Sequence, residues 1–104
     1  MTLEELAQQV WQAARSYHEL RLSLKGEPLP RVVQPYGIAQ TSQGKVVLVC
    51  WQTKGYTRAG AREGYRNLLL TRIIEVEVLQ HHFQRRSDFN PADGQYHDWV
   101  FHIG

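Results

Sequence analysis

A chain of 104 residues, 42% hydrophobic and 21% charged, has the size and balance of one small globular domain. That balance excludes a disordered or fibrous chain, and the single cysteine, Cys50, excludes an intrachain disulfide or a cysteine-based zinc cluster. The formal charge of +2 permits an anionic partner without demanding one.

The opening Met1-Thr2-Leu3-Glu4-Glu5 lacks the basic start and apolar stretch of a signal peptide. No segment approaches the roughly 18 consecutive apolar residues of a membrane helix. A cytoplasmic protein with no membrane contact is expected. Leu3, Leu6, Ala7, Val10, Ala13, Ala14 and Tyr17 recur at three- and four-residue steps, which predicts an amphipathic helix over about residues 2–17. Thr2 and Glu5 have capping-box spacing, and Arg15 and His18 suit the negative end of the helix dipole.

Strands follow. Leu20, Leu22 and Leu24 alternate with Arg21, Ser23 and Lys25, the pattern of a half-buried strand, closed by Gly26 and the Pro28/Pro30 turn region. Residues 31–39 form a second strand, in which Pro35 calls for an edge or a bulge. After the turn Thr41-Ser42-Gln43-Gly44, the run Val46 to Trp51 is apolar on both faces, as in a strand covered on two sides. Cys50 lies in this run and reads as a buried, inert thiol. A fourth strand spans residues 65–71, and Ile74, Val76 and Val78 alternate with Glu75 and Glu77 in a fifth. Five short strands and one helix make a mainly β domain, a bent antiparallel sheet or barrel capped by the helix. Its expected core is Leu22, Leu24, Val33, Leu48, Leu68, Leu70, Val76 and Val78. The tail is turn-rich from Gln84 to Gly94, and Trp99 to Ile103 is a candidate edge strand.

The densest chemistry lies between the third and fourth strands. Lys54, Arg58, Arg62 and Arg66 face the single acid Glu63, and glycines punctuate the loop at 55, 60 and 64. Arginine forks match phosphate or carboxylate, and the rings of Tyr56 and Tyr65 offer faces for a base. Arg66 and Arg72 share parity with Leu68 and Leu70, so a regular strand turns both toward the interior. There each needs an anion, either a ligand or an internal acid: Glu63 for Arg66, Glu75 or Glu77 for Arg72.

Two segments carry a family resemblance. Gly26-Glu27 followed by Arg31-Val32-Val33-Gln34-Pro35-Tyr36-Gly37-Ile38 is similar to one strand of the WYL domain, and Tyr65-Arg66-Asn67-Leu68-Leu69-Leu70-Thr71-Arg72-Ile73 resembles another. Phe83 falls where that family has a phenylalanine after its last strand. The signature Trp-Tyr-Leu falls at Val46-Val47-Leu48, Leu69 stands where an arginine is frequent, and no helix-turn-helix precedes the strands. The resemblance covers about residues 19–83 and implies a five-stranded, Sm-like antiparallel barrel. Residues 1–18 then form a capping helix, 19–83 the barrel and 84–104 the tail of a single stand-alone domain. It also implies a ligand-sensing module of bacterial transcription regulation or phage defence, with Arg66 and Arg72 matching arginines of the family's anion pocket and Arg31 the arginine that opens its second strand. Single-stranded nucleic acid or a nucleotide is the implied ligand, and a helix-turn-helix regulator the implied partner.

No catalytic residue, metal or cofactor is expected. Glu75 and Glu77 have the ordinary spacing of a solvated sheet face, and His81, His82, His97 and His102 lack metal-site spacing. The expected function is therefore binding of an anionic ligand by Arg31, Tyr56, Arg58, Arg62, Tyr65, Arg66 and Arg72. The competing expectation is a protein-interaction module, a homodimer joined through the Trp99–Ile103 edge.

Overall fold

A computed structural model of the chain describes residues 1–58 and 60–104. The protein is mainly β with one N-terminal helix: α1 (Leu3–Arg15), then β1 (His18–Leu24), β2 (Arg31–Thr41), β3 (Val46–Gly55), β4 (Gly64–Leu69), β5 (Ile73–His82) and β6 (Tyr96–His102). A 3-10 turn, Leu70–Arg72, joins β4 to β5. Both halves of the capping box form, since the Glu5 amide donates to the Thr2 hydroxyl and the Thr2 amide to the Glu5 carboxylate. The helix buries Leu6, Val10, Ala13 and Ala14. After it the chain reverses through Tyr17, whose φ is 58°.

The strands form one antiparallel sheet in the order β4-β3-β2-β1-β5, with β6 added to β2. The sheet is not closed. Six strands replace the expected five, because the tail pairs with the second strand. Strand β2 has room for two partners on the same side because it is long: Arg31–Leu22 to Val33–Leu20 pair with β1, and Gly37–His102 to Thr41–Tyr96 with β6. Pro35, which cannot donate to a ladder, falls between these stretches, at a bulge where its register partner is Cys50 and that of Gly37 is Val49. The bulge is as expected; the alternative of an edge position is not, since β2 is paired on both sides. A Cβ on Gly37 would overlap the Phe101 carbonyl oxygen, so only glycine lets β6 come this close.

Strand β3 is covered on both faces, as its sequence requires. Leu48 and Cys50 join the core beneath α1 with Val10, Leu20, Leu22 and Leu68. Val47 and Val49 join a second, aromatic core with Tyr36, Phe83, Phe89 and Ile103. Two sequence expectations need correcting. Strand β4 stops at Leu69, so Leu70 enters the core from the 3-10 turn and not from a strand. Val78, on β5, the last strand of the sheet order, pairs with fully buried Leu20 yet is 45% exposed and so lies outside the core. No helix of the described residues is long and apolar enough to cross a membrane.

Candidate anion-binding site

Residues from three segments meet at one end of the α1-covered core. The Glu27 carboxylate accepts from Arg31 twice, Nε to Oε1 at 2.9 Å and Nη2 to Oε2 at 2.8 Å. The third guanidinium nitrogen, Nη1, donates to Gln52 Oε1 at 3.0 Å. Gln52, fully buried, donates in turn to the Tyr56 carbonyl at 2.7 Å. Every polar atom of the Gln52 amide is thus engaged, which is what burial of an amide demands. The Tyr56 ring lies 5.7 Å from the Arg31 guanidinium carbon. Gly55 (φ 102°) makes this junction possible, because a Cβ there would overlap the Pro30 carbonyl oxygen.

Arg72 reaches the same carboxylate from the 3-10 turn. Its Nη2 lies 3.9 Å from Glu27 Oε2 and donates to the Lys25 carbonyl at 2.6 Å. Arg58 is close enough for its charge to act on Glu27. The Arg31 hydrogen bond and the charges of Arg31, Arg72 and Arg58 hold the Glu27 carboxyl below its ordinary range, against the opposing effect of burial. Two guanidinium groups therefore meet one carboxylate, and the charge of a third arginine acts on it. Glu27 neutralises one of the three.

The seven residues singled out in the sequence take different positions. Arg31 and Arg72 meet at Glu27, Tyr56 lies against Arg31, and Arg58 acts on Glu27 through its charge. Arg66 points to the face of Cys50, as its parity requires, but its guanidinium donates to the carbonyls of Ala61 and Tyr65 and braces the loop. Arg62 is exposed in that loop. Tyr65 pairs with Trp51 on the opposite face of the sheet, where its hydroxyl donates to Asp88 at 2.6 Å. The internal acid for Arg72 is Glu27 and not Glu75 or Glu77; Glu77 pairs with Arg21.

Glu27 and Gln52 were not among the candidates. Glu27 sits in a turn where an acid is unremarkable, and Gln52 continues the inward parity of Leu48 and Cys50 past the end of the apolar run. That parity was the available signal. A second constellation was also missed. Arg86 stacks 3.6 Å over the Trp51 ring and forks onto Asp88, while its amide donates to the buried Tyr36 hydroxyl. Burial and the Asp88 contact push the Tyr65 phenol upward. This cluster fastens the segment after β5 over the aromatic core.

No family model matches the chain, no curated protein is similar to it in sequence, and no solved structure matches it. The WYL resemblance rests on the two segments quoted above. In the fold those segments supply β2 and the β4–turn–β5 junction, the elements that carry Arg31 and Arg72.

Proposed function

We propose that the protein is a ligand-sensing or regulatory binding module of the WYL type, taking single-stranded nucleic acid or a nucleotide on the arginine surface around Glu27. The observation that carries this reading is the surplus of positive charge at that point: the guanidinium groups of Arg31 and Arg72 lie 2.8 and 3.9 Å from a single carboxylate, on which the charge of Arg58 also acts. Arg31 is only 6% exposed and each of its three guanidinium nitrogens already donates a hydrogen bond within the protein, so its role is to hold Glu27 and Tyr56 in place. The anion meets Arg72, Arg58 and Arg62, and the ring of Tyr56 stacks on a base, worth about 1–3 kcal/mol where stacking occurs. Action beside a helix-turn-helix regulator belongs to the same reading.

Titration of fluorescent single-stranded DNA, single-stranded RNA and a nucleotide panel at low salt tests it. Binding tighter than about 100 μM, the weak end of non-specific association, is expected, with a loss on Arg72→Ala. If no member of the panel binds more tightly than that, the arginines serve the fold alone. A protein-interaction module is the second reading, favoured by an exposed apolar cleft beside α1.

A further inference from the structure

The edge first expected to join two copies is poorly suited to it. Strand β6 skips residues His97 and Val100 in its pairing with β2, and such irregularities blunt an edge. Its inward residues are also committed: Ile103 is buried in the aromatic core, and the Trp99 indole donates to the Pro91 carbonyl.

A different surface has the properties of a two-fold contact. A cleft of about 590 Å³ opens between the first turns of α1 and the start of β3, lined chiefly by Leu3, Ala7, Val46 and Leu70. Leu3 is 52% exposed and Val46 40% exposed, so the cleft carries its own protruding apolar groups. Glu4 borders it on the helix, and Lys45 on the β2–β3 connection. Both are exposed.

We propose that this cleft is the contact surface for a second copy of the chain, related by a two-fold axis. A two-fold interface must be complementary to itself. This surface meets that demand in charge, since each copy carries an acid on one border of the cleft and a base on the other. Leu3 of each copy enters the other's cleft, and Glu4 of each copy faces the partner's Lys45. An unrelated apolar ligand would satisfy the cleft but leave the opposed charges on its two borders unexplained. The dimer is independent of the anion-binding reading, and either stands if the other fails.

Sedimentation across a concentration series tests the proposal. The native chain is expected to dimerise. Leu3→Gln, a polar change at an exposed helical position, should weaken the dimer roughly tenfold or more while leaving the thermal melt in place. Glu4→Lys alone and Lys45→Glu alone should each weaken self-association, since each brings like charges together. Mixing the two variants should restore a dimer, because the mixed pair carries only opposite charges across the contact. A native chain that stays monomeric throughout the series overturns the proposal. So does a dimer that tolerates Leu3→Gln, or a mixture of the two charge variants that associates no better than each alone.

Discussion

At the scale of single residues, the Glu27–Arg31–Gln52 chain is where stability and proposed function meet. The Glu27 side chain is 3% exposed and that of Arg31 8%, so neither charge has water to fall back on. Glu27→Ala should cost about 3–5 kcal/mol in denaturant unfolding, since it leaves a buried guanidinium uncompensated. Glu27→Gln keeps an acceptor and should cost less. Because the folded-state pKa of Glu27 is depressed, its contribution is complete above the unfolded value of about 4.3 and lost as pH falls through the folded value. The acid limb of the stability profile should therefore be shallower in Glu27→Gln than in the native protein. An unchanged limb would mean that this pair contributes nothing to acid sensitivity. Cys50 presents the opposite case, a fully buried thiol whose pKa burial pushes up to about 12. Thiol reagents should label it only after unfolding, and rapid labelling of the folded protein would contradict that burial.

At the scale of elements, legibility followed periodicity. The helix cap, the alternation of β1 and the two-sided covering of β3 could all be read, because each repeats a signal over several residues. The path after β4 could not. Leu68, Leu69 and Leu70 continue an apolar run, and nothing local marks the 3-10 turn; its place is set by the Lys25 amide bonding to the Arg72 carbonyl. Parity therefore placed Arg66 correctly, whereas Arg72 reaches Glu27 by a different route. The tail was only half legible. Its apolar alternation indicated a strand, but its partner depends on Gly37 and on the space left where β1 leaves β2. Removing residues 96–104 should consequently lower the melting temperature steeply, since it strips Ile103 from the core and exposes β2. A truncated chain that melts like the native one would show the tail to be an accessory.

At the scale of the whole molecule, the proposed function depends on where a small net charge is concentrated. A formal +2 spread evenly would bind nothing in particular, but four of the cations lie within residues 54–66, and one of them, Arg58, acts with Arg31 and Arg72 on Glu27. The charge pattern of the candidate site was legible in the sequence, while the Glu27 and Gln52 partners of Arg31 were not, since each depends on contacts formed only in the fold. The most direct test is the salt dependence of single-stranded DNA binding by the native protein and an Arg58→Ala/Arg62→Ala double variant, followed by fluorescence anisotropy. Log affinity should fall linearly with log salt, and the double variant should bind all sequences more weakly with a slope reduced by about 0.7 for each lost phosphate contact. Binding that is indifferent to salt, or a double variant with the native slope and affinity, would contradict the proposed function.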